Sequence, residues 1–143
     1  MLEVIRDNLR KSLERERKLD RPLEAISRRL WPWPESKLVT YVGLAALMDF
    51  LSTYAFLTFG RHGHVAEAGL LARWALHTGG FLGLFLVDAI CIGILILLAV
   101  GLRSLYSRLG FNGYGRTAMV FLLTPYFVII MAVVYNNILL SFV

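Results

Sequence analysis

Three stretches of this chain are long and apolar enough to cross a bilayer, and this limits the fold more than any other feature. A membrane-spanning helix needs about 20 predominantly apolar residues. Leu38–Phe59, Phe81–Leu102 and Thr117–Val143 all meet that length. The chain is 57% hydrophobic and its mean hydropathy is +0.63, far from a soluble domain. The prediction is an all-α integral membrane protein with three transmembrane helices, at about 38–59, 81–102 and 117–142. Residues 1–37 form a separate charged segment, and residues 38–143 form the transmembrane domain.

Charge fixes the expected orientation. Residues 1–37 carry ten Lys/Arg and seven Asp/Glu, and Arg103–Arg116 adds three Arg and no acid. The opposite connection, Gly60–Gly80, holds only Arg61, Arg73 and Glu67. Positive residues near span ends favour the cytoplasm. The protein is therefore expected in the cell membrane, with its N-terminus cytoplasmic and its C-terminus outside. The start of the chain is charged and does not read as a cleavable signal peptide. Lys and Arg are interleaved with acids, so no nucleic-acid partner is expected.

Within the first segment, Ile5, Leu9 and Leu13 recur at helical spacing, as do Leu19, Leu23, Ile26 and Leu30. Asp20-Arg21-Pro22 reads as a helix start, with Asp20 as cap and Pro22 in the first turn. Two cytoplasmic amphipathic helices meeting near Asp20 are expected, lying on the membrane or docked on a partner. Trp31-Pro32-Trp33-Pro34 then reads as an elbow whose two indoles sit in the headgroup layer.

The external connection carries Ala66–His77, with Leu70, Leu71, Trp74 and Ala75 on one helical face. It is too short to span, so a short interfacial or re-entrant helix is predicted, ended by Gly79-Gly80. The internal connection, with its GFNGYG run, reads as a set of turns bearing interfacial Tyr106, Phe111 and Tyr114.

The chemistry concentrates in an intramembrane polar cluster. Asp49 is the only formal charge of its span, and Asp88 interrupts the next one. Such groups are costly at depth and face a protein interior or a wet cavity. Tyr41, Ala45, Asp49, Ser52, Thr53 and Phe56 follow one helical stripe, and Leu84, Asp88, Cys91 and Leu95 follow another. Asp49 is placed roughly 15 Å and Asp88 about 10 Å from the outer ends of their spans. Facing each other, they would share a proton or bind a cation. Ala89 and Gly93 offer a small surface for close helix contact, and Cys91 reads as a small packing residue. Pro125 is expected to kink the third span. Asn136 and Asn137 suit bonding to Ser52, Thr53 or the Ala66–His77 segment.

His62, His64, Glu67 and His77 form a weak metal-site candidate by residue type. No histidine lies deep in a span, which argues against a haem, and no cofactor follows from the sequence. No catalytic residue is expected either. An intramembrane acid–base pair is conceivable, but Asp88 lies in LVDAI rather than a Gly-x-Gly-Asp context.

The order Asp49-x-x-Ser52-Thr53, external Glu67 and closing Asn136-Asn137 resembles a family of small prokaryotic multi-span membrane proteins whose activity is not established. Those proteins show an Asp-x-x-Thr-Thr-like first span, a Glu-x-Asn-Pro turn and a terminal asparagine. The likeness covers about residues 38–143. Here Glu67-Ala68-Gly69-Leu70 lacks the Asn-Pro, and Asp88 stands near a position where that family has Lys. The resemblance implies a multi-span fold and no activity.

Two functions compete on these grounds. One is an accessory or assembly subunit of a larger membrane complex, with other membrane subunits or self-association as its partners alongside the bilayer. The other is a homo-oligomeric proton- or cation-coupled transporter or channel using Asp49 and Asp88.

Overall fold

The computed structural model describes residues 2–59 and 70–141, and these are helical except for residues 31–34 and 109–111, with no strand among them. Four helices follow in order: α1 (Leu2–Leu30), α2 (Glu35–Phe59), α3 (Leu70–Arg108) and α4 (Asn112–Ser141). Three helical stretches are long and apolar enough to cross a membrane: Glu35–Phe56, Arg73–Arg108 and Asn112–Leu139. Most of their large apolar side chains are exposed on the protein surface, as expected where lipid or other helices are the surroundings.

α4 is the helix on which the others assemble. α1, α2 and α3 all pack against it, whereas α2 and α3 touch each other little. The core joins Leu38 and Val42 of α2, Ala99 of α3, and Met119, Val120 and Leu123 of α4. A second cluster, Ala45 with Ile130 and Val134, continues the α2–α4 contact further along. Between α2 and α3 the main links are two edge-to-face ring pairs. Phe50 meets Phe85 at 5.0 Å and Tyr54 meets Phe81 at 4.8 Å.

α1 is one helix, not two. Pro22 lies inside it. Pro22 removes the hydrogen bond to the Lys18 carbonyl, but both residues are exposed, so water can satisfy that carbonyl. Asp20 is not the cap of α1. Its Oδ1 instead accepts the Tyr114 backbone N–H at 2.9 Å, one of the free donors at the start of α4. The Thr117 hydroxyl also donates to the Leu23 carbonyl at 2.9 Å.

Backbone contact explains the glycines of the GFNGYG run. A Cβ at Gly113 would lie 1.9 Å from the Asp20 carbonyl oxygen, and one at Gly115 would lie 3.0 Å from that of Arg103. These glycines therefore belong to the first turns of α4 and permit close packing, rather than forming turns. The real connection is Leu109–Phe111. Gly110 has φ +81°. The Phe111 N–H bonds to the Tyr106 carbonyl at 2.9 Å and the Gly110 N–H to the Ser107 carbonyl at 3.1 Å. This is a Schellman end to α3.

Gly80, at φ 58° and ψ −152°, breaks α3 near its start. The segment before it is a separate arm, as the Gly79-Gly80 pair suggested. A Cβ at Gly83 would meet the Ala75 carbonyl oxygen at 2.6 Å, so the arm folds closely onto the following turn. Ala75 is buried while Trp74 is exposed.

Gly113→Val should displace α1, at a cost of about 1–3 kcal/mol from overpacking. Limited trypsin digestion would then cut the basic α1 faster while the other helices stay protected. Gly93→Ala, where nothing lies within 4 Å of the added Cβ, should leave the digestion pattern unchanged.

Candidate functional site

The first polar site lies where four helix ends meet. The prolines of the Trp31–Pro34 elbow end α1 and keep the elbow out of helical hydrogen bonding, so the carbonyls of the elbow need other donors. Arg116 supplies them. Its Nη2 donates to the Trp31 carbonyl at 2.7 Å and to the Trp33 carbonyl at 3.1 Å. Its Nη1 lies 3.3 Å from Glu35 Oε1, and the other Glu35 oxygen receives Arg103 Nε at 2.8 Å. Arg103 also donates to the Ser107 hydroxyl at 3.1 Å. Arg116 is only 7% exposed.

The elbow itself departs from the expected headgroup anchor. Trp31 is buried in the core beside Leu38 and Val42, and its Nε1 donates to the Pro34 carbonyl at 3.3 Å. Its ring meets Trp33 at 5.0 Å and Tyr41 at 5.9 Å. Trp33 alone is exposed.

The predicted intramembrane cluster separates into two groups. In one, Asn137 Nδ2 donates to Thr53 Oγ1 at 3.0 Å and to Ser52 Oγ at 3.3 Å. This bonds α4 to α2 as the sequence suggested. Ser52 in turn donates to the Asp49 backbone carbonyl at 3.0 Å, not to its carboxylate. Asn136 is exposed, because consecutive residues point about 100° apart on a helix and only one can face α2.

The other group holds the acids. Asp49 and Asp88 lie within electrostatic range of each other, and both lie within range of Tyr126 on α4. Tyr126 was not singled out in the sequence. Its signal would have been a phenol beside Pro125 at mid-length in an otherwise apolar helix. Asp49 comes fourteen residues after Glu35, and Asp88 fifteen before Arg103. At about 1.5 Å per residue, each acid is roughly 20 Å from the ion-paired end. Asp49 Oδ1 is buried without a hydrogen-bond partner, as is the Thr124 hydroxyl. An acid at the centre of a spanning helix costs about 2.5–3.5 kcal/mol on insertion scales. That cost makes the unpartnered oxygen informative.

Asp88 opens into a groove of about 160 Å³ between α2 and α3. Its lining includes Gly43 and Ala46 of α2 and Phe85, Ala89 and Ile92 of α3. The small surface of Ala89 and Gly93, expected to serve close helix contact, is not covered by a described helix: Ala89 is exposed, and a Cβ at either Gly43 or Gly93 would meet nothing within 4 Å. Cys91 is exposed as well, so it is not the packing residue its composition suggested.

Three members of the metal candidate, His62, His64 and Glu67, lie outside the described residues. His77 is exposed on the arm before Gly80. Among the described residues, no three His, Cys, Asp or Glu side chains come together to hold a metal.

No known protein family, curated protein or solved structure matches this chain. The likeness to small multi-span proteins rests on the residues quoted for it alone.

Glu35→Ala should destabilise the fold by about 3–5 kcal/mol, because it strands the buried Arg116 guanidinium without its counter-ion. Unfolding in detergent micelles measures this. Arg10→Ala, which removes a solvent-exposed pair with Glu14, should leave the unfolding midpoint in place.

Proposed function

We propose that this protein is a small multi-pass subunit of the cell membrane that assembles with other membrane-spanning chains. The observation that supports this reading is the groove between α2 and α3. Small residues on a spanning helix allow another backbone to approach. Here Gly43, Ala46 and Ala89 line a surface that no described helix covers. The rest of the lining is apolar except for Asp88, so the groove suits a helix better than a polar solute.

The same reading places residues 1–34 and the α3–α4 turn on the cytoplasmic side, and the C-terminus outside. The Arg-rich end of the bundle, with Arg103, Arg108 and Arg116, supports that placement. α1 then lies at the cytoplasmic surface, where its exposed Leu19, Ile26 and Leu30 meet the lipid boundary.

Extraction in mild detergent followed by size analysis tests the assembly. The expected outcome is a complex larger than one chain, reduced to the single chain by Ala89→Trp, which fills the groove from an exposed position. A wild-type protein that runs as an isolated monomer in every mild detergent would overturn the reading.

A second reading has its own support in Asp49, Asp88 and Tyr126, which come from three different helices and lie within electrostatic range of one another. A homo-oligomer built around these groups would conduct protons or a cation. Flux into liposomes would then fall at least tenfold in Asp49→Asn and Asp88→Asn, the scale expected when a group on the transfer path is lost, roughly 10²-fold for a general acid or base. Unchanged flux would end the idea.

A further inference from the structure

Resting on the subunit reading, we infer that the α2–α3 groove receives a transmembrane helix of a different protein, and that this helix carries a lysine or arginine at the depth of Asp88. Three of the groove's lining residues are small, which permits close approach of a backbone, and no described helix fills it. Gly43, Ala46 and Ala89 lie on its two sides, with Phe50 and Phe85 meeting edge to face across the gap. Asp88 is the one charged residue in its lining, and Asp49 lies within electrostatic range behind it.

The two acids lack a counter-charge from the long apolar stretches that carry and surround them. At the ion-paired end of the bundle, Glu35 has two guanidinium groups. Among the described residues, none acts on the two acids. The sequence has no Lys or Arg from residue 38 to residue 59, from 74 to 102, or from 117 to 143. Asp49 Oδ1 accordingly has no hydrogen-bond partner. A second copy of the chain would bring two more acids and no cation to that depth. Charge complementarity therefore selects a foreign helix. A basic residue there would meet a carboxylate in low dielectric, where charge-assisted hydrogen bonds are strongest. The basic helix gains in the same way, because an unpaired Lys or Arg is as unfavourable in the bilayer centre as Asp.

The test uses the full-length protein in phosphatidylcholine nanodiscs, with synthetic transmembrane helices as probes. One probe is a leucine-based helix with a single central arginine, and the other is the same helix without it. Association is read by Förster transfer between labelled protein and labelled probe. The arginine helix should bind on the order of tenfold more tightly than the all-leucine helix. Asp88→Asn should abolish that preference, and Asp88→Glu, which keeps the charge, should retain it. Circular dichroism confirms that both variants keep the wild-type helical content. Equal binding of the two probes, a preference that survives Asp88→Asn, or no binding of either probe would overturn the inference. Equal binding would still leave the groove as a helix-docking surface, so the subunit reading fails separately, in the detergent assembly experiment.

Discussion

The Arg116 guanidinium is the interaction on which the rest of the structure depends. It is almost wholly buried, and it contacts the end of α1, the elbow and the start of α2 from the start of α4. Through Glu35 it is joined to Arg103 near the end of α3. A buried charge is tolerable only when its hydrogen bonds are nearly all met. The two tryptophan carbonyls and one carboxylate do this, leaving only Nε without a partner. The surface pairs of α1 differ in kind. Arg10 with Glu14 and Lys11 with Asp7 are largely solvated, and such pairs contribute little.

The same chemistry, with opposite balance, recurs in the middle of the bundle. At the charged end one acid serves two cations. Roughly 20 Å away along the helices, two acids and a phenol lie within electrostatic range of one another, with no Lys or Arg in residues 38–59, 74–102 or 117–143. The helices surrounding them are arranged as an open structure, with α4 as the spine and α2 and α3 leaning on it from either side. Their gap gives Asp88 an exit to the surroundings, while Asp49 is more enclosed. Helix packing and charge balance thus leave the same place incomplete.

The sequence made some of this legible and hid the rest for physical reasons. Long apolar runs report helices directly, and the Gly79-Gly80 pair marked the break at Gly80, because both are local properties. The contact of Asn137 with Ser52 and Thr53 was also visible, since few polar groups in an apolar helix have few places to go. Periodicity could not show that Asp20 caps a helix 94 residues away, so the residue looked like a cap for its own. Pro22 looked like a helix start because propensity ignores which side of the helix faces water. Trp31 looked interfacial because its burial depends on Arg116 drawing the elbow inward. The spacing of Ala89 and Gly93 showed that a close contact is possible, but not whether a helix of this chain makes it.

The close fit of α1 against Gly113 has a consequence for synthesis. α1 leaves the ribosome before α2, α3 and α4, and its binding surface is on α4. Asp20 must wait for Tyr114, and Leu23 for Thr117. Until then the helix is a charged amphipathic segment without its partner, followed by only two of the three long apolar stretches. Domains otherwise tend to form from the N-terminus as they emerge. In this protein the closing step runs backward along the chain, and the arrival of α4 sets the moment at which the N-terminal helix can lock.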